Sequence, residues 1–233
     1  MKFQKLLVVA MSTAFLAACG GGGGGSSAPI APVTSTETFQ VKTAYVSYFT
    51  DSRSLPFTMS GTTSGVSVNG SGTVTQSGVT SGTFEGVAAL QKVMTITASL
   101  VGNGVTIPFG ATSTSYVDSN YTPKGISGSE YSVVTSAVNI PVTAKVNDTG
   151  IWSTSNRYTT SAKTTLLGTT EASFVLQPDT ASTALLKIIQ TDKNTSGTPT
   201  MISTVSFRMT PAGALTRLSE TGVGGTTNLT ITY

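Results

Sequence analysis

Residues 90–109 read LQKVMTITASLVGNGVTIPF, and this stretch sets the fold class of the chain. Every second residue from Leu90 to Leu100 shares one face, and the residues between them are largely threonine and serine. This period of two predicts a β-strand with one face toward a core. Asn103-Gly104 then predicts a two-residue turn, because both residues tolerate the positive φ of a type I′ turn. The alternation continues at Ile107 and Phe109, so the stretch predicts an antiparallel hairpin.

The same period of two recurs along most of the chain. It begins at Thr38–Tyr48, is long at Tyr131–Val146, and ends at Asn228–Tyr233. We therefore predict an all-β fold, an antiparallel sandwich or barrel-like sheets of about twelve strands. Helical periodicity is weak throughout, and only Gly82–Leu90 and Thr180–Gln190 are candidates for short helical pieces.

The first 36 residues differ from the rest in composition. Lys2 and Lys5 precede an apolar segment, Leu6–Leu16, that is too short to span a bilayer. Leu16-Ala17-Ala18-Cys19 follows, and then come six glycines and a Ser/Pro-rich stretch. The composition of this stretch predicts a flexible tether.

Leu16–Cys19 resembles the lipobox of bacterial lipoproteins. The resemblance implies that residues 1–18 are a signal peptide and that Cys19 carries the lipid, a diacylglycerol with fatty acids such as palmitate. It also implies an outer-membrane location, with the periplasmic or cell-surface side left open. The chain then divides into the signal peptide (1–18), the lipidated cysteine with its tether (19–36) and an all-β body (37–233). The turn-rich segment 118–129 is a candidate sub-division of that body.

Composition excludes several classes of function. The chain has 13 Lys+Arg, 10 Asp+Glu and no histidine, and charged residues make up 10% of it. Loss of residues 1–18 would leave eleven basic residues against ten acidic ones, so no nucleic-acid surface is expected. The absence of histidine removes the usual general base and the commonest metal ligand. We expect no metal, no cofactor and no catalytic residue.

Two motifs are candidate binding sites. Gly150-Ile151-Trp152 is similar to the Gly-x-Trp that opens the first strand of lipocalin barrels, which makes Trp152 a weak candidate for ligand binding. Asp192–Gly197 has the first half of a calcium-binding loop, but Ser203 occupies the place of the bidentate glutamate. A polar hairpin turn explains this second motif better.

These observations predict a lipid-anchored envelope protein that acts as a non-enzymatic binding, adhesion or structural module. Its partner is the membrane, through the lipid on Cys19, and the nature of a protein or glycan partner stays open. One alternative is a lipocalin-like carrier of an apolar ligand. A second is a carboxylate-based hydrolase, since paired carboxylates work without histidine. The aromatic C-terminal residue Tyr233 also allows a transmembrane barrel, although many strands carry Thr, Ser or Gly on both faces.

Overall fold

The computed structural model of the protein describes residues 34–136 and 140–233. Within them lie one helix, α1 (Val41–Thr50), and thirteen strands. The strands are β1 (Arg53–Thr63), β2 (Val66–Gln76), β3 (Thr80–Phe84), β4 (Val87–Gly102), β5 (Val105–Val117), β6 (Pro123–Ser127), β7 (Tyr131–Val134), β8 (Thr149–Tyr158), β9 (Leu166–Pro178), β10 (Ala184–Lys193), β11 (Pro199–Met209), β12 (Leu215–Gly224) and β13 (Thr227–Thr232).

Twelve of these strands form a closed antiparallel barrel. The order around it is β2-β1-β13-β12-β11-β10-β9-β8-β7-β6-β5-β4, and β4 returns to β2 to close the sheet. The closing register runs from Val68↔Gly102 to Gln76↔Met94. The short β3 is additional and pairs with the first part of β4. The prediction of an all-β fold with about twelve antiparallel strands is confirmed.

The hairpin predicted from residues 90–109 forms β4 and β5. The pairing is continuous from Leu90↔Val117 to Gly102↔Val105. Asn103 and Gly104 have φ values of +50° and +73° at the turn, as the Asn-Gly pair requires. The same hairpin therefore supplies the longest pair of strands in the barrel and, through β4, its closure.

The helix α1 lies inside the barrel, where the alternation at Thr38–Tyr48 predicted a strand. That prediction is wrong. The backbone of Phe39 bridges Ala144, and α1 then contacts inward side chains of β2, β4, β8, β11 and β12. The helix buries Val41, Ala44 and Phe49 and exposes only Thr43 and Ser47, so it has little amphipathic periodicity. Tertiary packing decides its conformation against a sequence rich in β-branched and aromatic residues.

Two apolar clusters fill opposite parts of the interior. The helix-side core surrounds α1 and consists of Phe39, Val41, Ala44, Ile140, Ala144, Trp152, Phe174, Leu176, Ala184, Leu186, Phe207 and Met209. The hairpin-side core lies under β1, β2, β4, β5 and β13 and consists of Phe57, Met59, Val68, Val74, Ile96, Leu100, Phe109, Leu229 and Ile231. Beside α1 the interior is polar and incompletely filled, and this region holds the candidate site.

A third, smaller cluster lies on the outer face of the barrel. Phe84, at the end of β3, has its ring 4.7 Å from that of Tyr116 and 5.4 Å from that of Tyr131. Gly125 leaves room for the Phe84 ring, since a Cβ there would overlap it. Glu85 accepts a hydrogen bond of 2.6 Å from the Tyr131 hydroxyl and forms a salt bridge with Lys163. These contacts fasten the β3–β4 hairpin to the barrel wall.

Four other segments for which the sequence made predictions belong to the barrel or to its connections. The long strand expected at Tyr131–Val146 is wrong, since β7 ends at Val134 and residues 140–148 form no strand. Gly82–Leu90 is the β3–β4 hairpin and Thr180–Gln190 is a turn followed by β10, so neither is helical. The turn-rich segment 118–129 contributes β6, which pairs with β5 and β7 in the one sheet.

In the described ranges, α1 is too short to cross a membrane and no longer apolar helix is found.

Candidate functional site

Two adjoining cavities lie in the lumen beside the C-terminal half of α1. The first has a volume of about 270 Å³ and the second of about 370 Å³. They share wall residues, among them Tyr48, Phe49, Ile126, Ile188 and Gln190. Ile126 faces the lumen from β6 and keeps 39% of its surface exposed. The lumen therefore offers apolar surface that the described side chains leave uncovered.

Polar side chains from four elements meet at the first cavity, and we refer to Tyr48, Gln76, Lys92, Arg217 and Glu220 as the Tyr48 cluster. The Tyr48 hydroxyl accepts hydrogen bonds from Gln76 Nε2 (2.7 Å) and Arg217 Nη1 (3.0 Å). Arg217 forms a salt bridge with Glu220, and both residues are more than 90% buried. The cluster thus holds two cations and one carboxylate in the interior of the barrel.

A β-bulge allows Arg217 and Glu220 to face the lumen together. Residues three apart on a regular strand point to opposite faces of the sheet. In β12, Phe207 pairs with Arg217 and Ser206 pairs with Ser219, so Leu218 is an extra residue in this strand. The bulge shifts the alternation by one position, and both charged side chains point inward.

Lys92 covers the C-terminal end of α1. Its ammonium group donates hydrogen bonds to the backbone oxygens of Tyr48 (2.5 Å) and Asp51 (2.8 Å), which are carbonyls left without helical partners. Burial lowers the pKa of Lys92 to about 8, and the positive charges of Arg53 and Arg217 add to this effect while Asp51 opposes it. Lys92 is therefore a buried cation that titrates close to neutral pH.

Several polar atoms of the Tyr48 cluster have no hydrogen-bond partner among the residues that the structure describes. These atoms are Gln76 Oε1, Arg217 Nε and Glu220 Oε2, all of them buried. A buried polar atom without a partner costs about 1–3 kcal/mol, and such atoms are uncommon in native proteins. The cluster thus has more hydrogen-bonding capacity than its own side chains use.

The charged side chains at the second cavity include more carboxylates than cations, the reverse of the first cavity. Arg157 forms salt bridges with Glu130 (2.9 Å) and Asp192 (3.3 Å), and the Thr170 hydroxyl donates to Asp192 Oδ1 (2.5 Å). Burial raises the pKa of Asp192, and the attraction of Arg157 opposes that shift. Two carboxylates therefore share one cation at this end of the lumen.

Trp152, the candidate from the Gly-x-Trp motif, lies in the wall of this second cavity. Its ring stacks on Phe174 at 5.7 Å and meets the edge of Tyr45 at 5.8 Å, while its Nε1 has no partner. A bulge at Trp152 lets it face the lumen together with Arg157, five residues further along β8. The motif lies in β8, the seventh of the twelve barrel strands in chain order, unlike the first strand of a lipocalin.

The calcium-like segment Asp192–Gly197 is divided between the lumen and a turn. The Asp192 side chain points inward to Arg157, whereas Asn194 Oδ1 accepts hydrogen bonds from the backbone nitrogens of Ser196 (3.0 Å) and Thr198 (2.9 Å) in the β10–β11 hairpin. In residues 34–136 and 140–233, no three metal-ligating side chains come together in a group that would hold an ion. Cys19, the predicted lipidation site, lies outside the described residues.

Sequence reasoning missed the Tyr48 cluster, although one signal for it was present. Lys92 shares its face with Met94, Ile96 and Leu100, and a lysine on the apolar face of a strand marks a buried charge that needs partners. Its partners could not be found in the same way, because they depend on the helix in the lumen and on the bulge in β12. In the comparisons with known proteins, no family model, no curated protein and no solved structure matches the chain.

Proposed function

We propose that the protein is an envelope lipoprotein, anchored through lipid on Cys19, whose barrel binds and carries a small amphipathic molecule in its lumen. The observation that carries this proposal is the pair of adjoining cavities, about 270 and 370 Å³, between α1 and the barrel wall. Ligand sites are typically concave and mostly apolar, with a few polar groups and a volume of ~300–1,000 Å³. The lumen has these properties.

The cavities favour a carrier over an adhesion or structural module. A module that works only through its outer surface gains nothing from an unfilled interior, and each void costs packing energy. Here apolar wall residues such as Ile126 and Ile188 border open space, and buried polar atoms beside it lack partners. A ligand that occupied this space would cover the apolar wall residues.

Binding of a neutral apolar dye, Nile red, tests lumen occupancy. Trp152 is the only tryptophan and lies in the wall of the second cavity, so we expect its emission to fall as the dye binds. Ala172→Phe fills the same cavity from the inner face of β9 and should weaken binding at least tenfold. Ser173→Phe places the same ring on the outer face and is the matched control. Equal affinity of both variants for the dye would refute a lumen site.

The anchor is tested separately. Cys19→Ala should abolish the incorporation of labelled palmitate and release the protein from the membrane fraction. Protease treatment of intact cells then separates the cell-surface side from the periplasmic side of the outer membrane. Continued labelling of the Cys19→Ala variant would overturn the lipoprotein proposal, and the lumen proposal would be unaffected.

A further inference from the structure

We infer that the Tyr48 cluster is the head-group site for an amphipathic anion, a medium-chain carboxylate whose tail runs along the shared wall toward the second cavity. This inference rests on the proposed carrier function and adds the chemical class and orientation of the ligand. It combines the charges at the two ends of the lumen with the hydrogen-bonding capacity that the cluster leaves unused.

The charge balance orients the ligand. At the first cavity, Lys92 and Arg217 line the wall with one carboxylate, Glu220. The Asp51 and Arg53 charges near Lys92 pair with each other. At the second cavity, Arg157 faces two carboxylates. An anionic head is attracted to the first end and repelled from the second, because charges interact strongly in a poorly hydrated interior. The tail therefore extends toward Trp152.

The cluster has donors for such a head group. Among the described residues, two carbonyl oxygens accept from Lys92 Nζ, and an ammonium has three donors. Arg217 Nε has no partner among the described residues, and because it is buried the guanidinium must turn to present it to a ligand. Rotation of the Gln76 amide would let the Tyr48 hydroxyl donate to Gln76 Oε1 and would free Gln76 Nε2 for the ligand. The side chains of Gln76, Lys92 and Arg217 are all more than 90% buried, so their hydrogen bonds to an anion are sheltered from water.

Apolar surface continues from the cluster. Met94, Ile96, Val205 and Phe207 line the first cavity, and Ile188 and Ile126 lead into the second. At ~30 Å³ for each water-sized group, about 270 Å³ accommodates roughly nine such groups. A straight chain of roughly that length, as in decanoate, matches the first cavity and reaches the second.

Protonation of Lys92 links binding to pH. Several titratable or charged groups lie around Lys92. They are Tyr48 and Asp51 at the end of the helix, Arg53 on β1, and Arg217 and Glu220 on β12. Tyr233 lies beside Arg217. Burial lowers the pKa of Lys92 to about 8 and raises the pKa of Tyr233 to about 12. Loss of the Lys92 proton removes one of the two cations, so affinity for an anion falls as the pH rises above about 8.

Calorimetry with three probes of equal chain length tests the inference. The full chain carrying Cys19→Ala, which prevents lipid attachment, is titrated with decanoate, decanol and decylamine near neutral pH. Decanoate should bind about tenfold more tightly than decanol, and decylamine should bind most weakly. Lys92→Met should reduce the affinity for decanoate to that for decanol. The control Lys193→Met removes a lysine from the outer face of β10 and should leave all three affinities unchanged.

The outcomes separate the two proposals. If decanol and decylamine bind as tightly as decanoate, the head-group site is wrong and the carrier function stands. If neither Nile red nor any of the three probes binds, the carrier function itself fails. If Lys92→Met does not fold, the affinities of the protein with the unsubstituted cluster are measured across a range of pH instead. A loss of affinity above about pH 8 for decanoate but not for decanol supports the inference, and parallel profiles overturn it.

Discussion

Tyr48→Phe is the substitution that tests the interior of the barrel most directly. It removes one hydroxyl and keeps the ring, which lies edge-on to Phe207 at 5.1 Å and under the charges of Lys92 and Arg53. Gln76 Nε2 and Arg217 Nη1 would lose their shared acceptor. At ~1–3 kcal/mol for each buried donor left without a partner, we expect a loss of about 3 kcal/mol. For a body of this size that loss corresponds to a fall in Tm of roughly 6–12 °C.

The matched control is Tyr116→Phe. The Tyr116 hydroxyl makes one hydrogen bond of 3.2 Å, to Ser127 at the barrel surface, so its loss should cost about 1 kcal/mol or less. Urea unfolding followed by circular dichroism measures both variants. A double-mutant cycle with Gln76→Met should recover part of the loss, because the second change removes one of the orphaned donors. Equal stability of Tyr48→Phe and Tyr116→Phe would refute the view that the Tyr48 hydroxyl organises the cluster.

Two further predictions concern stability. Lys92 has its pKa lowered from 10.5 to about 8, so between these values the unfolded chain binds more protons and stability should rise with pH. Above about pH 10 the rise should reverse, since buried Tyr233 keeps its proton to about pH 12 in the folded state. Thermal melts across this range check both. Lys92→Met should lose most of the rise and keep the reversal, with a remainder from Lys187, whose pKa burial also lowers. An unchanged rise in that variant would contradict the assignment. Gly72→Ala should destabilise the barrel by about 1–3 kcal/mol, because the new Cβ would overlap the Thr97 carbonyl oxygen and lie 2.8 Å from Phe57 Cζ. Gly78→Ala meets nothing within 4 Å and should be neutral in the same urea unfolding assay, and equal losses would contradict the close approach at Gly72.

The strands of the barrel were predictable because each has one face inside and one face outside. That arrangement imposes a period of two, and the Asn103-Gly104 turn adds a local signal that fixes one hairpin. The helix α1 was not predictable in this way. Its exposed residues, Thr43 and Ser47, are too few to mark a polar face in the sequence, and its aromatic and β-branched residues favour a strand locally.

The candidate site was less predictable than the fold because two bulges shift the phase of the alternation. From the sequence alone, Arg217 and Glu220 fall on opposite faces of one strand, and so do Trp152 and Arg157. The extra residues in β12 and β8 bring each pair to the same side. A bulge depends on the partner strand, and therefore local sequence does not reveal it.

The cavities follow from the number of strands. An eight-stranded barrel has an interior that its own inward side chains fill, and wider barrels leave space. With twelve strands, this chain fills one part of the interior with α1. At Gly70 and Gly72 the barrel wall packs closely against the neighbouring strand, since any Cβ there would collide with it. Neither the helix nor this close strand contact fills the middle of the lumen. There the inward positions carry Lys92, Arg217, Glu220 and Arg157, whose charges prevent an apolar collapse, and the space between them remains open for a ligand.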